Sequence, residues 1–163
     1  MAFRAVILVI HILSAVIWLG FLPADMVLRG FIRKNRGKSG ERRLISSYMV
    51  LTNLSGIIGM SGLLVTGILL VSTVPYYSFF DFASNHWLAT KQVIMVILMV
   101  LVFALLIPKA KKVRLALSTN LDDPSPLGEL AYGNLFSLER TITVISVLVL
   151  INFLLAVTHR FFG

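Results

Sequence analysis

Residues 5–23, AVILVIHILSAVIWLGFLP, contain no Asp, Glu, Lys or Arg. A run of that length constrains the fold more than any other feature. A bilayer core of roughly 30 Å is crossed by about 20 apolar residues in α-helix. Three further runs qualify, and the four candidate spans cover residues 5–28, 44–74, 87–108 and 142–158. In lipid every backbone N–H and C=O must be paired within the structure, so each run is expected to be helical. The apolar residues are continuous rather than alternating, which argues against a β-barrel. The expected fold is therefore all-α, an integral membrane four-helix bundle forming one transmembrane domain over residues 1–163. Composition agrees. Hydrophobic residues make up 58% of the chain and charged residues 13%, against about 25% charged in soluble domains. The mean hydropathy is +0.92.

The first run follows Arg4 and superficially resembles a secretory leader. Its apolar core exceeds the usual stretch of about 7–15 residues and no A-x-A site follows, so a retained span is expected. Cysteine is absent. That removes disulfides, thiolate metal sites, iron–sulfur clusters and covalent haem attachment.

The net charge of +8 is unevenly placed. Residues 29–43 hold seven basic side chains against Glu41, and Lys109, Lys111, Lys112, Arg114 and Arg140 lie between the third and fourth spans. The remaining loop, STVPYYSFFDFASNH, has Asp81 and no Lys or Arg. The positive-inside rule assigns both basic loops to the cytoplasm of a bacterial inner membrane, with both termini on the outer, periplasmic side. The basic loops suit anionic headgroups; no nucleic-acid recognition motif accompanies them. The outer loop carries Tyr76, Tyr77, Phe79, Phe80 and Phe82. It suits a membrane interface, a short amphipathic segment or the docking of a partner. Residues 118–134, STNLDDPSPLGELAYGN, have turn chemistry and are expected to be irregular.

Depth arithmetic then places the polar residues. At 1.5 Å of rise per residue, His11 lies roughly 9 Å below the outer boundary and Lys91 about 6 Å. His86 begins the third span and His159 ends the fourth, so all three histidines fall in the outer half. Ionisable groups within a membrane are costly and commonly functional. His11 is a candidate metal or haem-iron ligand, or a side chain hydrogen-bonded to a neighbouring helix. Lys91 either snorkels to the interface or pairs with a carboxylate such as a porphyrin propionate. His86 and His159 are further candidate metal ligands, His159 otherwise an interfacial residue. Trp18 shares a helical face with His11, seven residues away. Asn53, Gly56, Met60 and Gly67 fall on one side of the second span. Its small residues permit close helix packing or the approach of a flat macrocycle. Met60 is expected to pack. Pro23 is expected to kink or end the first helix, and Asp25 to reach water or pair with Arg29.

No Ser/His/Asp set, H-E-x-x-H motif or phosphate-binding glycine loop occurs. Hydrolytic and phosphoryl-transfer chemistry therefore has no visible machinery, whereas redox chemistry on a bound cofactor needs none. In this setting VIHILSAVIWLG, with His11, Trp18 and Gly20, resembles the first span of the HemJ-type protoporphyrinogen oxidases and the related CopD-like membrane proteins. HWLATK, through Trp87, Leu88 and Lys91, is similar to the same family's W-L-x-x-K, and GMSGLLVTGILLV to its Met- and Gly-containing helix. The resemblance covers nearly the whole chain in span order and charge pattern. It implies a small bundle holding b-type haem with His11 as axial ligand, and protoporphyrinogen oxidation or copper handling as activity. Where the HemJ family carries Leu-Pro-Arg, this chain has Leu22-Pro23-Ala24-Asp25.

Three functions follow as expectations. The first is a haem-binding protein of membrane redox chemistry or electron transfer, with His11, Lys91, Trp18 and Gly67 about the cofactor. The second is a cofactor-free accessory subunit of a larger respiratory or photosynthetic complex. The third, a transporter or metal-handling protein, would need to form a homo-oligomer.

Overall fold

The computed structural model describes the backbone of residues 2–117, 125 and 127–162, and side chains as far as residue 158. The elements are α1 (Ala2–Lys34), α2 (Glu41–Thr73), α3 (His86–Leu101), a π-helical turn (Val102–Leu106), α4 (Ile107–Leu117) and α5 (Glu129–Phe162). No strand occurs among the described residues. Four helices are long and apolar enough to cross a membrane: Ala2–Lys34, Glu41–Thr73, His86–Leu117 and Glu129–Thr158. The third of these reads through α3, the π turn and α4.

The helices outrun the apolar segments that announce them. α1 has 33 residues, a length of about 50 Å, and its extra turns lie at the basic end. The connection expected over residues 29–43 shrinks to a turn between Lys34 and Glu41. Gly37 (φ 72°) and Gly40 (φ 90°) take left-handed conformations there that side chains disfavour. Residues 118–134 are not irregular throughout, because α5 begins at Glu129; residues 118–124 and 126 lie outside the described residues. Nor does Pro23 end α1. Phe21, Asp25 and Ile32 on either side of it are buried, so packing holds the helix across the missing hydrogen bond. At Pro108 the chain answers differently. Pro108 cannot donate to Ala104, and the widened turn before it lets Ile107 N–H bond Val102 C=O instead.

α1 and α2 lie antiparallel along their whole length, α3 and α4 pack along α5, and α1·α5 and α2·α4 contacts join the pairs. One core cluster fills the basic half, around Phe21, Ile45, Tyr48, Leu138 and Ile142. A second, of Trp18, Met60, Leu98, Ile145 and Val149, fills the middle, so Met60 packs as expected. The outward faces stay apolar: Val9, Leu13, Leu54, Val100 and Leu150 are all exposed. Such surfaces are compatible with a lipid environment.

The aromatic-rich loop is a set of linked turns rather than an amphipathic helix. Asp81 Oδ1 accepts from the N–H groups of Ala83 and Ser84. Asn85 Nδ2 donates to Tyr76 C=O, and Gln92 Oε1 accepts from Phe80 N–H at 2.6 Å. That last bond secures Phe80 at φ 55°, a left-handed conformation costly for an aromatic residue. Tyr77 meets Trp87 edge to face, 6.2 Å between centroids.

Candidate functional site

The α1–α2 seam is set by glycines. A Cβ added to Gly59 would lie 2.7 Å from Trp18 Cβ and 3.3 Å from Trp18 Cα, and one added to Gly62 would overlap the Ser14 side chain. Both glycines are therefore required by the approach of the helices. One turn further toward the aromatic end the pairing reaches His11 and Thr66, whose Nδ1 and Oγ1 are 2.7 Å apart. Gly67 is different. A Cβ there would sit at an ordinary 3.6 Å from His11 Cε1. Packing does not demand its glycine, and the position adjoins the imidazole.

The four helices share a layer at Trp18, Met60, Leu98 and Val149. Seven residues toward the aromatic end, about 10.5 Å, the corresponding positions are His11, Gly67 and Lys91. The common depth expected of His11 and Lys91 is thus a layer of the bundle. Lys91 is half-buried, with Nζ 5.6 Å from the Trp87 ring centroid.

Hydrogen bonding selects the imidazole tautomer. The Thr66 hydroxyl has one proton and gives it to Gly62 C=O. Thr66 Oγ1 is then an acceptor for His11 Nδ1–H, and in the neutral imidazole with that tautomer Nε2 carries the lone pair. An imidazole held through one nitrogen so that the other can ligate is the usual arrangement at metal and haem sites. Nearby in depth, Asn152 Oδ1 on α5 is buried without a partner among the described residues. By donor chemistry alone, an imidazole held at Nδ1 is a ligand type that suits a haem iron, and Lys91 is a cation in the same layer.

The other candidates fall elsewhere. His86 is exposed at the start of α3. His159 lies on the last turns of α5, and its side chain is outside the described residues. Among the described residues no three His, Asp or Glu side chains gather into a metal-ligating group. Trp18 is a core residue one layer inward from His11, packed on Gly59.

Sequence reasoning missed the basic half. Asp25, 5% exposed, does not reach water. Its Oδ1 accepts from Arg29 Nε at 2.9 Å and from the Tyr48 hydroxyl at 2.8 Å, and its Oδ2 meets Arg29 Nη2 at 2.6 Å. Arg29 Nη1 continues to Thr143 Oγ1 on α5. Glu139 pairs with Arg33, and Lys109 Nζ donates to Thr141 Oγ1 at 2.7 Å. Glu41 accepts from Gly37 N–H and from the Tyr132 hydroxyl. The pairing of Asp25 with Arg29 was legible as an i, i+4 spacing; its partners on other helices carried no local signal. No protein-family model matches this chain, and neither a curated protein nor a solved structure matches it.

Proposed function

We propose that this chain binds b-type haem through His11 Nε2 and takes part in membrane redox chemistry or electron transfer. One observation carries the reading: Thr66, committed to Gly62 C=O, fixes the tautomer in which Nε2 is free to ligate. Bound haem would supply one-electron chemistry. The chain's own residues would hold it through His11, whose imidazole Thr66 orients, with Lys91 as a cation for a propionate. The same His11, Trp18 and Lys91 carry the resemblance to HemJ-type and CopD-like proteins. Of the two redox roles, electron transfer is preferred. At the place of that family's Leu-Pro-Arg this chain has Asp25, already saturated by Arg29 and Tyr48. The basic end is assigned to the cytoplasm and the termini to the outer side of a bacterial inner membrane, by the positive-inside rule.

The test is the absorption spectrum of the detergent-purified chain from a haem-replete host, oxidised and dithionite-reduced, beside His11→Ala. A Soret band lost in the variant is expected. A flat spectrum from folded wild-type protein would overturn the reading.

A second reading, an accessory subunit of a larger membrane complex, is favoured by the aromatic loop. Tyr76 is 82% exposed, and Phe79, Phe80 and Phe82 are exposed on a loop held rigid by Asp81, Asn85 and Gln92. Co-purification of stoichiometric partners after mild solubilisation, lost on Phe79→Ser/Phe82→Ser, would support it.

A further inference from the structure

At the basic end, α2 and α4 pack through Ile45, Met49, Val113 and Leu117. Between them runs a groove of about 560 Å³, and Val50, Leu54 and Ile57 of its α2 wall are among the exposed apolar residues. Its walls are apolar, chiefly Met49, Leu54, Ile57 and Leu117, and three polar side chains interrupt them: Ser46, Asn53 and Arg114. Arg114 and Asn53 are exposed.

Two features of those polar groups need explaining. Asn53 stands one heptad, about 10.5 Å, toward the basic end from the core residue Met60. An amide at that depth facing hydrocarbon is unfavourable unless something hydrogen-bonds it, and no bond to it is seen among the described residues. Arg114 is a cation beside an apolar trough. The described carboxylates of this half are engaged elsewhere: Asp25 with Arg29 and Tyr48, Glu41 with Gly37 and Tyr132, Glu129 with Arg36, and Glu139 with Arg33. Arg43 precedes Ser46 by three residues, so a further cation stands one turn nearer the basic end on the α2 wall.

We infer that this groove is a binding site for one anionic phospholipid of the leaflet at the basic end. The phosphate lies between Arg114 and the Ser46 hydroxyl. The acyl-ester carbonyls lie toward the Asn53 amide, and the acyl chains run along Leu54 and Ile57 into the surrounding bilayer. Charge complementarity selects the anionic headgroup, and the apolar walls distinguish a lipid from a free phosphate. A neutral isoprenoid would leave Arg114 without a counter-ion.

Native mass spectrometry of the full chain in mild detergent tests this, with added phosphatidylglycerol or phosphatidylcholine of identical chains. One tightly retained phosphatidylglycerol is expected, preferred about fivefold over phosphatidylcholine, whose choline cation cancels the net charge that one interfacial Arg attracts. Arg114→Gln should erase the preference while Lys34→Gln, away from the groove, keeps it. Ile57→Trp, which fills the apolar trough, should lower retention of both lipids. Inorganic phosphate at millimolar concentration should not displace the lipid. Equal retention of the two lipids, a preference that survives Arg114→Gln, or displacement by phosphate alone would each overturn the assignment.

Discussion

The two halves of this bundle treat buried polar groups in opposite ways. In the basic half, Asp25, Arg29 and Tyr48 answer one another across α1 and α2, and Thr143 extends the network to α5. In the aromatic half, His11 is held at one nitrogen only, Lys91 shares its layer, and Asn152 Oδ1 has no partner among the described residues. A saturated network stabilises a single packing arrangement and has no valence left for chemistry. An unsaturated one costs stability and is retained where a ligand completes it. The contrast teaches that being ionisable within a membrane does not identify a site. What identifies it is which lone pairs and protons remain unspoken for after the protein has used its own.

The comparison breaks most readily at Asp25. Asp25→Ala leaves the Arg29 guanidinium buried without its counter-ion, and a loss of about 3–5 kcal/mol is expected. Thermal unfolding in detergent would read it. Asp25→Leu combined with Arg29→Met should recover most of that loss, since it removes both charges. A single variant melting like wild type would dissolve the distinction between the halves.

The seam glycines come next. Gly59→Ala must push Trp18 and the α1 backbone aside, at a cost of about 1–3 kcal/mol. Gly67→Ala meets only an ordinary contact with His11. It should leave unfolding unchanged yet weaken haemin binding in a spectrophotometric titration. Equal destabilisation by the two would mean that Gly67 serves packing alone.

Thr66→Val sharpens the comparison at the ligand itself. It keeps the shape and removes the acceptor that orients Nδ1. Losing such a partner typically costs about 10–100-fold in metal affinity, with little effect on folding.

The smallest effect concerns the rim. The N–H groups of Ser84 and Ala83 hold the Asp81 carboxyl below its usual pKa. The ordered turn is therefore favoured above the ordinary carboxylate range and loosens as pH falls through the depressed value. Lower amide-exchange protection factors at residues 83–85 in acid, a change absent in Asp81→Asn, would report it.

The spans were legible because lipid imposes helix on any long apolar run, and the common depth of His11 and Lys91 followed from a fixed rise per residue. The ends of the helices were not legible. Polar turns such as residues 129–134 are helical because Glu129 and Tyr132 find Arg36 and Glu41 on other elements. Pro23 does not end α1 for the same reason: packing outweighs one missing hydrogen bond. Thr66 was visible only as a small residue. Its role required knowing the α1–α2 register, which Gly59 and Gly62 set through tertiary contact.

The most direct test of the contrast is a haemin titration of wild type, His11→Ala and Asp25→Ala, each first checked for its unfolding temperature. The account predicts that His11→Ala unfolds like wild type but gains no Soret band, while Asp25→Ala unfolds far earlier and, below that temperature, still binds haemin. If His11→Ala is destabilised as much as Asp25→Ala, and wild type itself binds no haemin, His11 is a structural residue and the two halves are alike.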